Sequence, residues 1–194
     1  FTKPKVNSVG GKSVGILNST VNKSVYLSTP LIRCWGANKR ENANGDFSYD
    51  VSIQFDTEAY STKEQTEFLS KLVEFEDYIK ECAKTYSKDW FNKPSMSDDV
   101  VDALFHPILK YPKDKDSGEA DRSRQPTLKV KLPFWEGEAK FELFDVNNEL
   151  LIPNQDNTSP EVFITKASNI ACILQCGGIW FANNNFGVSW KLYQ

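Results

Sequence analysis

Apolar and polar side chains alternate without a break from residue 47 to residue 55, with Phe47, Tyr49, Val51, Ile53 and Phe55 set against Ser48, Asp50, Ser52 and Gln54. A period of two is the pattern of an extended strand with one buried face, and no helix satisfies it. The period returns at Leu128, Val130 and Leu132 with Lys129 and Lys131 on the other side, at Ala139, Phe141 and Leu143, and at Phe186, Val188, Trp190 and Leu192. Further strands are predicted near 25–35, 161–165 and 170–176. One long stretch follows a different period. Behind Ser61 and Glu64, spaced as a capping box, Phe68, Leu72, Phe75, Ile79, Cys82 and Tyr86 recur in steps of four and three, which predicts one face of an amphipathic helix of about seven turns. Its other face carries Glu67, Lys71, Glu74, Asp77 and Lys80 and is solvated. A short second helix is predicted from 98 to 105, with Ser97 as cap and a stop where His106 meets Pro107. Residues 112–126 lie between two prolines and hold no apolar side chain except Ala120, so they form an exposed loop.

Many short strands and one long helix predict a mainly β chain, a small barrel or sandwich carrying a helix. A length of 194 residues fits one domain, with 1–20 as a basic lead-in and 61–105 as a helical insertion. No apolar run reaches the length of a membrane span; the longest candidate, 170–182, is interrupted by Gln175 and the Gly177-Gly178 pair. The chain opens at Phe1 with neither Met nor an apolar signal segment, which suggests a trimmed sequence. Cys34, Cys82, Cys172 and Cys176 are scattered, with no CxxC, as in a reduced, intracellular protein whose cysteines fill apolar space. Three glycosylation acceptor triplets, beginning at Asn18, Asn22 and Asn157, are close to the number that fifteen Asn and twenty-seven Ser and Thr produce by chance, and they decide nothing.

The catalytic patterns in the sequence are incomplete. Gly11-Lys12-Ser13 ends like a phosphate-binding loop, but Val6 stands where the first glycine is required and β-branched residues follow in place of a helix. A hydrolase triad would depend on His106, the only histidine, with no Gly-x-Ser-x-Gly elbow. His106 reads as a helix-end residue instead. A zinc site would gather cysteines from most of the chain without paired spacing. The carboxylates of the long helix belong to a solvated face. The expectation is a protein that is not an enzyme and uses no cofactor or metal.

Charge carries more information. The net −3 is unevenly spread: residues 1–40 hold seven basic and no acidic residues, 41–106 hold six basic and fifteen acidic, and 107–140 hold eight basic and six acidic. A basic start, an acidic middle and a second basic stretch point to a polyanion on one face, or to a solvated basic arm. Lys110 and Tyr111 precede the exposed loop, Lys113 and Lys115 stand at its start, Arg122 and Arg124 lie farther along it, and Lys129, Lys131 and Trp135 follow it. Cations that track phosphates, together with rings that stack on bases, suit single-stranded nucleic acid. Lys12, Trp35, Lys39 and Arg40 from the basic first part complete the candidate set. The competing reading places Trp135, Trp180 and Trp190 in the core, and for Trp190, in phase with Phe186 and Val188, that reading is preferred. Lys129 and Lys131 would repel each other on one strand face unless something anionic lies over them.

Two blocks of residues support a family resemblance. The first is Tyr111-Pro112-Lys113-Asp114-Lys115 with Pro126-Thr127-Leu128-Lys129-Val130-Lys131-Leu132-Pro133. The second is Gln175-Cys176-Gly177-Gly178-Ile179-Trp180-Phe181 with Phe186-Gly187-Val188-Ser189-Trp190-Lys191-Leu192. In these blocks, about a third of the chain, it resembles the single-stranded DNA-binding proteins of nucleo-cytoplasmic large DNA viruses, of phycodnavirus and mimivirus type, which are related to the binding protein of T7-like phages. The resemblance implies an OB-fold, a five-stranded Greek-key barrel, that coats single-stranded DNA without sequence preference during replication, recombination or repair at a viral replication site. It puts the basic positions from Lys110 to Lys131 at or near the DNA groove and makes Gly177-Gly178 and Gly187 turn positions of the last hairpin. Such proteins usually continue into an acidic tail that contacts replication proteins, whereas this sequence stops at Gln194. A homo-oligomer is compatible with the sequence. About five neutralised phosphates would give a slope of about −3.5 in log affinity against log salt. The alternatives are a β-sandwich interaction module, viral structural or carbohydrate-binding, that uses exposed Trp and the run Asn183, Asn184 and Asn185, and an RNA-binding OB-fold.

Overall fold

The alternating segment at 47–55 becomes a strand with neighbours on both sides, and a large sheet is laid around it. The computed structural model describes residues 1–8, 10–43 and 45–194. Eleven strands join one sheet: β1 (Lys5–Val6), β2 (Lys12–Val14), β3 (Tyr26–Ser28), β4 (Ile32–Glu41), β5 (Phe47–Gln54), β6 (Phe105–His106), β7 (Leu109–Lys110), β8 (Thr127–Leu132), β9 (Lys166–Ile170), β10 (Ile173–Ala182) and β11 (Asn185–Leu192). The order across it is β1-β2-β10-β11-β8-β5-β4-β9, with β3 on β10, β6 on β11 and β7 on β8. β11 runs parallel to β8 and β6, and the other pairings are antiparallel. The protein is mainly β, as expected. The five-stranded barrel is not what is seen: among the described residues the sheet is mixed, has eleven strands and does not close.

Each alternating run buries its apolar face. Val51 and Ile53 of β5, Leu128 and Val130 of β8, and Trp190 and Leu192 of β11 all lie in one core. Among the described residues four helices accompany the sheet: α1 (Lys63–Thr85), α2 (Ser87–Phe91), α3 (Asp98–Leu104) and α4 (Pro160–Phe163). The predicted helical segment is thus filled by α1 to α3. The α1 stripe docks as its spacing requires, with Leu72, Ile79 and Cys82 buried, Phe68 ring to ring with Phe55 at 6.0 Å and Phe75 with Trp190 at 5.7 Å. Tyr86, the last residue of the stripe, stays exposed beyond the helix end. The cap is Thr62, one residue later than the Ser61-Glu64 box predicts: its hydroxyl accepts from the Gln65 amide at 3.2 Å, and the Gln65 side chain donates to the Leu31 carbonyl at 2.9 Å.

Other local expectations change where tertiary pairing intervenes. The lead-in is partly ordered, because β2 pairs with β10 and β1 pairs with β2. The single strand expected through Ala139, Phe141 and Leu143 is split between two hairpins, Phe134–Trp135 with Glu138–Ala139 and Leu143–Phe144 with Leu150–Ile152. Residues 160–163 are helical where a strand was predicted, with Pro160 at the first turn. The run at 170–176 is divided, with Ile170 closing β9 and Ile173 opening β10. His106 is not a helix end but part of β6. Gly177-Gly178 form no hairpin turn. They sit at the β10 irregularity between Cys176 and Ile179, where a Cβ on Gly178 would come within 2.6 Å of the Val14 carbonyl. Gly187 lies inside β11, and the turn of that hairpin is Asn183-Asn184, both at positive φ. The four cysteines are buried and free, as the filler reading expects, and burial pushes the Cys172 thiol up to about 12. No helix among the described residues is long and apolar enough to cross a membrane.

Because Leu72 is fully buried between α1 and the sheet, Leu72→Ala is expected to cost about 2–5 kcal/mol in urea unfolding. A cost below about 1 kcal/mol would show that the stripe does not anchor the helix.

Candidate nucleic-acid interface

Strand register decides which polar side chains meet on the face opposite the core. Lys191 of β11 is in register with Lys131 of β8, Lys131 with Asp50 of β5, and Asp50 with Asn38 of β4. One step along, Lys129 faces Ser52, and in the other direction Arg40 faces Ser48. Of these, Arg40, Ser48, Asp50, Lys129, Lys131 and Lys191 floor a cleft of about 590 Å³ whose lining also includes His106, Pro107, Ile108, Lys110, Phe134, Trp135 and Trp180.

Two rings are held at the cleft by identifiable devices. Trp135 is 52% exposed on a hairpin whose turn residues, Glu136 and Gly137, have positive φ, and neighbouring Phe134 packs on Tyr49 at 4.7 Å between centroids. It is therefore not a core residue. Trp180 is half-buried and stands opposite Gly187, which is itself opposite His106. A Cβ at 187 would lie 2.9 Å from Trp180 Cζ2 and 2.7 Å from the His106 carbonyl, so glycine there permits the Trp180 and His106 rings to meet at 5.6 Å. Trp190 is 2% exposed and belongs to the core, as its phase predicts.

The electrostatics of the cleft are asymmetric. Asp50 is the only carboxylate of its lining among the described residues, is 7% exposed, and holds Arg40 at 2.8 Å, Lys129 at 3.0 Å and the Asn38 amide at 3.2 Å. The anion that the Lys129 and Lys131 pair calls for is thus partly supplied from within the chain. Lys131 and Lys191 make no side-chain hydrogen bond or ion pair among the described residues. Lys110 Nζ lies 2.9 Å from His106 Nε2, and burial holds this lysine below its ordinary range. Glu76 of α1 accepts from the Ile108 and Leu109 amides and is raised by its own burial. It fixes the backbone between His106 and Lys110.

Of the thirteen candidate residues, the structure brings Arg40, Lys110, Lys129, Lys131 and Trp135 together. Trp35 is on the same sheet face but farther along, donating to Gln54 Oε1 at 3.0 Å with Lys166 5.5 Å from its ring. Lys39 lies 4.0 Å over Phe47. Lys12 is used otherwise: its ammonium donates to the Asp89 and Trp90 carbonyls at 3.1 and 2.6 Å, which tethers β2 to α2. Arg122 stacks 5.1 Å over Tyr111, and Lys113, Lys115 and Arg124 are exposed on the loop without lining the cleft. Lys191 and Asp50 were missed although their alternation phase placed both on the polar face. Trp180 and His106 carried no such signal, since a parallel strand pairing and one glycine bring them in.

His106 offers a direct check. Partial burial, then the Lys110 ammonium, push its pKa below the ordinary imidazole value. The unfolded chain then takes up the proton first, so this contribution to stability is complete above about pH 6.5 and is lost as the pH falls through that value toward the folded pKa. The urea midpoint is expected to fall between about pH 7.5 and 5.5, and His106→Gln, which removes the only imidazole, to flatten that decline. An identical pH profile in the variant would rule the pair out as its origin.

No family model, no curated protein and no solved structure matches this chain.

Proposed function

We propose that this protein binds single-stranded DNA without sequence preference and without catalysing a reaction, in replication, recombination or repair. The observation that carries the reading is the cleft. Five cations, Arg40, Lys110, Lys129, Lys131 and Lys191, line one cleft with the rings of Trp135 and Trp180, and among the described residues one carboxylate, Asp50, opposes them there. Cations spaced along a strand face suit a phosphodiester backbone, while ring faces accept any base, so the combination favours a strand with unpaired bases over a duplex. A cleft of about 590 Å³ has room for an extended strand. The neighbouring loop, with Lys113, Lys115, Arg122 and Arg124 balanced by Asp114, Asp116, Glu119 and Asp121, adds no net charge to it.

The finer fold reading is an OB-type arrangement. Its support is the order of the five longest strands, β10-β11-β8-β5-β4, in which one neighbouring pair, β8 and β11, runs parallel, as a crossed Greek-key path requires. The polar faces of β5 and β8, the second and third of these along the chain, floor the cleft, and this is where OB-folds take oligonucleotides. In the alternative carbohydrate-binding reading, Asn183 and Asn184 would have to act from the exposed turn of the last hairpin.

Titration of poly-dT followed by tryptophan fluorescence is expected to show quenching at low salt that weakens steeply as salt is raised. No quenching at low salt would sink the proposal. Trp135→Ala is expected to weaken binding by about 1–3 kcal/mol while leaving the unfolding midpoint unchanged, since the ring is half in solvent. Equal affinity for oligo-dT and oligo-U would widen the ligand class to RNA.

A further inference from the structure

The cations of the cleft fall into groups that their exposure alone would not separate. Arg40 and Lys129 have side chains 55% and 40% exposed, open to a ligand, yet both are bound to the same Asp50 oxygen. Asp50 lies directly opposite Lys131 in register, but its ion pairs run to the residues on the two diagonals. Lys131 and its neighbour Lys191 are left without a counter-ion among the described residues.

We infer that Asp50 is a resident competitor for the phosphates of a bound strand: it keeps Arg40 and Lys129 out of the interface and thereby sets the affinity and its salt dependence. This rests on the single-stranded DNA reading of the cleft. A carboxylate this buried cannot be left without partners, because the uncompensated charge would carry its full desolvation penalty. A phosphate arriving from solvent suffers no such penalty if it is refused, so it does not strip both cations from Asp50. The Asn38 amide on the second carboxylate oxygen holds Asp50 in place while this competition is played out. Lys131, Lys191 and Lys110 remain to meet phosphates. At about 0.7 per contact, three contacts give a salt slope of about −2, where five would give about −3.5.

The test is the salt dependence of oligo-dT binding, read by tryptophan fluorescence in the wild type, Asp50→Asn, Lys129→Gln and Lys131→Gln, with melting curves as the check on folding. Asp50→Asn is expected to bind on the order of tenfold more tightly at low salt and to steepen the slope to about −3.5, as Arg40 and Lys129 are freed. In the otherwise unchanged chain, Lys131→Gln should make the slope shallower by about 0.7, and Lys129→Gln should cost clearly less slope than that. A folded Asp50→Asn that binds with wild-type affinity and slope overturns the inference and leaves the DNA reading standing. So does a Lys129→Gln that loses as much slope as Lys131→Gln, and this comparison decides the matter even if Asp50→Asn fails to fold. Absence of binding by both the wild type and Asp50→Asn at low salt overturns the reading and the inference together.

Discussion

The antiparallel pairing of β5 with β8 is the constraint on which the rest depends. From Tyr49 opposite Leu132 to Gln54 opposite Thr127 the two strands are matched residue for residue, and a slip by one would exchange their faces. In this register Val51, Ile53, Leu128 and Val130 are all sealed from solvent. The same register puts Asp50, Ser52, Lys129 and Lys131 on the other face. Burying four apolar side chains and assembling the charged floor of the cleft are therefore one event. The site cannot be misaligned without also exposing the core.

The walls of the cleft are brought to that floor by longer-range contacts. β11 joins β8 in parallel, which places Lys191 beside Lys131 and continues the row of cations. β6 then joins β11, also in parallel, and carries His106 to the side of Trp180 across a position where only glycine fits. Glu76 reaches from α1 to two backbone amides of the intervening segment, so the amphipathic helix, whose stripe serves the core, also fixes the cleft wall through its polar side.

Charge in this protein is partitioned by burial. Most acidic residues of the middle segment lie on exposed helical surface, where solvent screens them and their ion pairs contribute little. Asp50 comes from the same acidic segment but lies at the centre of the sheet face, where its three partners matter far more per charge. The net charge of the chain describes neither situation.

The sequence alone determined, to within a residue or two, the elements whose periodicity is long and unbroken: the strands at 47–55, 128–132 and 186–192, the helix that follows Ser61 and runs to about Tyr86, the exposed loop after Pro112, and the side of each of these strands that faces the core. These follow from local sterics and from the fixed periods of side chains along a strand or a helix. It also identified the cations of β8 and Trp135 as candidates. Tertiary structure decided what depends on neighbours distant in sequence. The lead-in is ordered by its pairing with β10, and Lys12 is diverted to the end of α2. The alternation at 139–143 is broken between two hairpins, and 160–163 turns helical. Most of all, tertiary structure decided that Asp50, Lys131 and Lys191 share one row while Lys113, Lys115 and Arg124 do not reach the cleft. Residue types fix which side chains can carry charge or stack, but which of them meet is set by strand order, and strand order is a property of the whole packed sheet.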